Sequence, residues 1–177
     1  PAITARVIML VAFSGTMTAF APAAFSNAPV DAVTAATPLA LLGSEGAAGE
    51  LPTLAQMFLG ARGGSMGETS CLALLLGGIY LIYRRVISWH TPVAFIGTVL
   101  VCTALLGQQP LYQVMAGGLF LGAIFMATDY TTSPPTPAGK LIFGLGCGLI
   151  TVLIRVWGNF PEGVSFSILL MNILNPY

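Results

Sequence analysis

The chain has 177 residues, of which 56% are hydrophobic and 7% charged, with a formal net charge of zero. A soluble domain carries about 25% charged residues, so this chain cannot keep a surface in water and belongs in a bilayer. No basic run or acidic tail is present, so no nucleic-acid partner is expected.

Residues 2–21 are apolar, with small hydroxyl residues at Thr4, Ser14, Thr16 and Thr18. About 20 residues at 1.5 Å each cross a hydrocarbon core of about 30 Å, and the hydroxyls suit a face packed on protein. Pro22 ends this predicted helix. Residues 22–64, rich in Ala, Gly and Pro, form the longest non-spanning segment; loops of this length are functional or disordered. Within it, 51–59 reads as a short helix or an interfacial segment. Asp31-Ala-Val-Thr34-Ala-Ala-Thr37 is a stretch of small residues in which a threonine hydroxyl is accessible to esterification by a bulky phosphate-bearing group.

Gly63-Gly-Ser-Met-Gly-Glu-Thr-Ser70 opens the next helix. Ser65 and Glu68 have capping-box spacing, which predicts Ser65 at the N-cap. That helix runs to Tyr83 and ends at Arg84-Arg85. Ser88-Trp89-His90 reads as a turn with an interfacial tryptophan, and Pro92 suits the first turn of a helix reaching about Leu106. After a turn at Gly107-Gln-Gln-Pro110, residues 112–127 form a short, glycine-rich helix. Thr128 to Pro137 cannot continue it regularly. Residues 140–157 are the next span, where Gly144, Gly146 and Gly148 allow another backbone to come close. A turn at 158–163 precedes a last span from Val164.

Cys71, Cys102 and Cys147 lie in apolar runs without Cys-x-x-Cys spacing and read as small core hydrophobes. Arg155, near a predicted membrane exit, reads as snorkelling to the interface, with a flavin or subunit contact as the alternative. Asp129 ends a broken, glycine-rich helix. Such a carboxylate lines a cavity and couples to an ion, or it closes a turn through Thr131, Thr132 and Ser133; the residues leave both open. The expected architecture is all-α: a polytopic membrane helix bundle with short and broken helices and about six spans, forming one membrane domain over residues 1–177. Positive charge places Arg6, Arg84, Arg85 and Lys140 on the cytoplasmic side against Arg62 and Arg155 outside. That puts the Thr37 loop on the extracytoplasmic face.

The pattern Asp-x-x-(Ser/Thr)-(Gly/Ala)-Ala-Thr at Asp31–Thr37 resembles the flavinylation motif of the D subunit of the Rnf ion-translocating oxidoreductase and of its relative, the B subunit of the sodium-pumping NADH:quinone reductase. Further resemblances follow in order: Gly64-Ser-Met-Gly-Glu-Thr-Ser70, then Gly117-Gly-Leu-Phe-Leu-Gly through Ala127-Thr-Asp129, then Gly139-Lys-Leu-Ile-Phe-Gly144 and Pro161-Glu-Gly-Val164. The order is closer to the Rnf subgroup, although Tyr130 stands where some members have proline. The resemblance covers nearly the whole chain. It implies the C-terminal half of a longer subunit, in keeping with a sequence that opens at Pro1 and stops at Tyr177 just after an apolar run.

The resemblance also implies a urea-channel-like membrane fold and FMN joined by a phosphoester to Thr37. Asp31 and Thr34 would belong to the motif read by a flavin transferase, and Thr34 is the nearest rival attachment point. Gly64, Ser65, Glu68, Thr69 and Ser70 are expected to border the FMN, a role compatible with helix capping. A further flavin, riboflavin, occurs in the relatives, and nothing in this stretch identifies its site. The implied activity is that of an ion-translocating ferredoxin:NAD oxidoreductase complex in the bacterial inner membrane, moving Na⁺ or H⁺. Its implied partners are the second covalent-FMN protein, the G subunit, together with the A and E membrane subunits and the B and C peripheral subunits, with membrane lipid around them. The chain has neither Gly-x-Gly-x-x-Gly nor a cysteine cluster, so no NAD or iron–sulfur site is expected in it. A small-solute channel or secondary transporter is the alternative reading.

Overall fold

A computed structural model describes residues 2–17, 53–60, 67–68, 70–158 and 163–175. The first helix, α1 (Ala2–Ala12), buries Ile3, Val7 and Leu10. That spacing of three to four puts them on one stripe. The regular helix stops at Phe13 and a short turn, α2 (Ser14–Met17), follows. The bond from Met17 N–H to the Phe13 carbonyl (3.0 Å) carries the chain across the kink. The helix predicted over 2–21 is thus interrupted, and its last part lies outside the described residues.

The short helix expected within 51–59 is α3 (Leu54–Leu59). Thr53 Oγ1 accepts from Gln56 N–H (3.3 Å), and Gln56 Oε1 accepts from Thr53 N–H (2.9 Å). This reciprocal cap satisfies two first-turn donors. Gly60, at φ 103°, closes the helix and lies against Ser70.

Helix α4 (Cys71–Tyr83) corrects the prediction for its start. Its N-cap is Ser70, whose Oγ accepts from Ala73 N–H (3.3 Å), not Ser65. Glu68 lies before the helix, because its carboxylate is engaged by Arg6 and a second serine is available to cap. At the other end, Arg85 N–H reaches the Ile82 carbonyl and Val86 N–H the Leu81 carbonyl. This is the Schellman arrangement, with Arg85 at φ 57° where glycine is usual.

Helix α5 (His90–Leu105) starts after Trp89, which puts Pro92 in its first turn as expected and adds His90 to the helix. It ends in a second Schellman turn, in which Gly107 (φ 71°) takes the left-handed position. The glycine-rich segment is broken as expected. It consists of α6 (Pro110–Met115), a turn containing Gly117 at φ 65°, α7 (Leu119–Leu121) and a π-helical stretch, Gly122–Met126. Helix α8 (Pro137–Trp157) begins three residues before the predicted Lys140. Thr136 Oγ1 accepts from Gly139 N–H (3.1 Å), and Pro137 at the first helical position loses no bond there. The last helix is α9 (Val164–Leu174).

Helices α5 and α8 form the most intimate pair, and glycines set their distance. A Cβ at Gly144 would lie 2.8 Å from both the Thr91 carbonyl oxygen and Ala94 Cβ; one at Gly148 would lie 2.6 Å from Thr98 Cβ. Gly146 instead faces Met171 of α9. Around this contact lie Phe95, Val99, Leu119, Ala123, Cys147 and Ile168, each fully buried. Thr151 and Ser167, with oxygens 2.8 Å apart, tie α8 to α9. Cys71 and Cys147 are buried and Cys102 half-buried, as core hydrophobes would be. Elsewhere the outer faces are apolar: Tyr83, Leu105 and Ile142 are all more than 60% exposed. Lipid tails suit such a surface and water does not. Among the described helices, α8 is the one long and apolar enough to cross a membrane by itself.

Candidate functional site

The polar features concentrate at three places along the broken helix. The first is the turn before α4. Glu68 Oε1 accepts from the Arg6 guanidinium at 2.7 Å, with side-chain exposures of 6% and 25%. The same carboxylate presses on the turn between α6 and α7: a Cβ at Gly118 would come within 2.7 Å of Oε1. A buried carboxylate requires a cation or several donors, and an arginine within an apolar helix requires an acid. Each supplies the other's need, and the pair joins α1 to the break in the helix.

The second place is the break itself. Helix α6 ends with carbonyls that α7 cannot use. The Arg155 guanidinium of α8 donates to the Gln113 carbonyl (2.5 Å) and the Ala116 carbonyl (3.3 Å). Cys71 Sγ lies 3.6 Å from the Met115 carbonyl. This corrects the reading of Arg155 as a snorkelling residue. Its side chain turns inward because the interrupted helix leaves acceptors that lipid cannot satisfy. A positive charge at these carbonyls also makes this break unfavourable for a cation.

The third place lies at the far end of the π stretch. Thr128 Oγ1 donates to the Ile124 carbonyl (2.5 Å) and the chain turns at Asp129. Asp129 accepts from Thr131, through N–H at 3.4 Å and through the hydroxyl at 3.0 Å. The Asp129 carbonyl accepts from Thr132 and Ser133 N–H. Asn175 Nδ2 donates to the Thr132 carbonyl (2.6 Å), fastening α9 to this turn. Asp129 also lines a cavity of about 450 Å³ with Thr4, Thr132 and Asn172 among its other polar residues. Asn172 Oδ1 is buried and has no hydrogen-bond partner among the described residues. The turn-closing geometry and the cavity-lining position, two alternatives in the sequence, therefore coexist.

Glu68 and Ser70 come together in one turn, whereas Asp129 sits at the opposite end of the segment that starts at Gly118, about 15 Å away at 1.5 Å per residue. Asp31, Thr34, Thr37, Gly64, Ser65 and Thr69 lie outside the described residues. Three residues matter here that the sequence does not single out. Arg6 reads there as a cytoplasmic flank, and Gly118 and Asn172 have no separate role. A signal exists for Arg6. The chain has only six acidic residues, and an arginine one turn inside an apolar helix must find one of them or reach the interface.

Fold and site define a bundle of apolar-faced helices arranged around an interrupted helix, with ionisable groups held inside it. The chain belongs to the NQR2, RnfD, RnfE family, which it matches over residues 1–177. It is 47% identical to the D subunit of the Na(+)-translocating ferredoxin:NAD(+) oxidoreductase complex of Acetobacterium woodii, over 99% of this chain and 54% of that protein. It is 46% identical to the D subunit of the proton-translocating ferredoxin:NAD(+) oxidoreductase complex of Clostridium ljungdahlii, over 99% of this chain and 57% of that protein. Against the D subunit of the ion-translocating oxidoreductase complex of Stutzerimonas stutzeri the identity is 41%, over 99% and 59%. The chain thus spans a little over half the length of these relatives.

Proposed function

We propose that the chain is part of a membrane subunit of a redox-driven ion pump, an ion-translocating ferredoxin:NAD oxidoreductase complex, and that it carries FMN on Thr37. The observation that carries this reading is the Asp31–Thr37 motif in a chain whose relatives are named as the D subunit of such complexes. In this reading about six segments cross the membrane, some of them short and interrupted as α6 and α7 are. Arg6 and Arg155 are engaged inside the bundle, so orientation rests on Arg84, Arg85 and Lys140 at the cytoplasmic side. The Thr37 loop is then extracytoplasmic.

The described residues near the expected flavin are chemically compatible with it. Ser70 Oγ accepts from Ala73 N–H and retains its own proton to donate. Glu68, paired with Arg6 through Oε1, sets the turn that borders the flavin in this reading. FMN bound at Thr37 would supply electron carriage at a fixed place, through a tether that prevents loss to the aqueous side. The named relatives differ in the ion they move, Na⁺ or H⁺, and Asp129 is the residue proposed to couple to it. The A, B, C, E and G subunits are the proposed partners.

The test is mass spectrometry of the matured full-length subunit. Wild type should carry an FMN adduct that survives denaturation, and Thr37→Ala should lose it. An adduct retained at full yield in Thr37→Ala would move the site to Thr34 or elsewhere. A wild-type chain without any adduct would favour the solute channel, for which the Asp129 cavity would serve equally well.

A further inference from the structure

A second cavity, of about 300 Å³, lies where the start of α5 meets the turn after the π stretch and the first turn of α8. Its polar lining is Ser88, Thr91, Thr128, Tyr130, Ser133 and Lys140. No carboxylate is among the lining residues. Asp129, the nearest acid in sequence, lines the other cavity and is held by Thr131. Lys140 makes no ion pair among the described residues, whose salt bridge is Arg6–Glu68.

Thr91 is the telling residue. The threonines Thr98, Thr103, Thr128 and Thr151 each donate to the carbonyl four residues back. Thr91 sits in the first turn of α5, where no helical carbonyl precedes it. It is 1% exposed and its hydroxyl has no partner among the described residues. Leaving a buried hydroxyl so is destabilising. The N-terminus of this 16-residue helix has no side-chain cap either, since Trp89 occupies the N-cap. Thr91, the uncapped start of the helix and the Lys140 ammonium therefore lie at one small cavity, and a helix N-terminus favours negative charge.

We propose that this cavity binds a phosphate group, held by the Lys140 ammonium and the Thr91 hydroxyl, with Ser88 and Ser133 at hand for the remaining oxygens. Arg84 and Arg85, exposed on the loop that leads to Ser88, raise the positive potential at its mouth. Exposed Tyr83, Val86 and Trp89 flank the same loop. A phosphate whose attached chains run out along apolar surface fits this setting, as in the basic interhelical pockets that hold acidic headgroups. Soluble phosphate shares the recognition chemistry.

The experiment uses the full-length subunit in its complex, reconstituted in phosphatidylcholine nanodiscs. Stability is read by thermal unfolding, and the site by Trp89 fluorescence. Wild type should be stabilised when phosphatidylglycerol replaces part of the lipid, and Lys140→Gln and Thr91→Val should each weaken that response about tenfold. Lys140→Arg should retain it. In pure phosphatidylcholine Thr91→Val should be at least as stable as wild type, since it removes a buried hydroxyl without a partner; this shows that the variant folds. If inorganic phosphate in phosphatidylcholine reproduces the response, the site takes a soluble phosphate. If neither anion changes wild type beyond chloride at equal ionic strength, or if both variants respond as wild type does, the proposal is overturned.

Discussion

Replacing either partner of the Arg6–Glu68 pair tests how the bundle is held together. The carboxylate is the more deeply buried, at 6% exposure against 25% for the guanidinium. Removing one partner of a buried pair costs about 3–5 kcal/mol, because the other charge is left without compensation. Arg6→Met takes the guanidinium away from the more buried group and should cost the more of the two. Glu68→Gln takes the carboxylate away from a guanidinium that water partly reaches, and about 2 kcal/mol is expected after allowing for screening. The double variant Arg6→Met/Glu68→Gln removes both charges and should lose less than the two single losses added together, by a coupling of about 2–3 kcal/mol. Reversible unfolding of the full-length subunit in mixed detergent, across the four proteins of the cycle, measures this. Additive losses, or Glu68→Gln costing more than Arg6→Met, would refute the reasoning. Adduct mass spectrometry on the same samples should show FMN retained in Glu68→Gln, since the pair acts on packing and not on the linkage.

Gly148→Ala places a methyl 2.6 Å from Thr98 Cβ and should cost about 1–3 kcal/mol by overpacking. Gly97→Ala, with nothing within 4 Å, should be neutral or mildly stabilising in the same unfolding assay. Arg85→Gly removes a left-handed arginine from a Schellman turn and should raise the thermal midpoint by relieving about 1 kcal/mol, whereas Arg85→Val should lower it. Asp129→Asn keeps the shape of its turn but removes the charge from the cavity. In proteoliposomes it should uncouple ion uptake while ferredoxin-linked electron transfer continues; uptake unchanged in proportion to electron flow would end the coupling role.

Sequence alone determined those features that depend on neighbouring residues or on the chain's overall hydropathy. Scarcity of charge dictated a bilayer surface. The Gly144–Gly148 spacing foretold a close helix contact, and the glycines of residues 112–127 with the prolines after Thr128 marked a short segment that would not continue regularly. These are local properties: backbone freedom, ring constraints and periodicity act over a few residues. What needed the tertiary structure were pairings across long separations. Glu68 could cap a helix three residues from Ser65 or bind an arginine sixty-two residues away. Both fit the sequence, and burial chose the ion pair because a carboxylate taken out of water gains more from a guanidinium than from one amide. Arg155 likewise looked like an exit residue until the end of α6 supplied the Gln113 and Ala116 carbonyls that it satisfies. The empty hydroxyl of Thr91 had no sequence sign at all, since its lack of a partner is decided by where the first turn of α5 happens to lie.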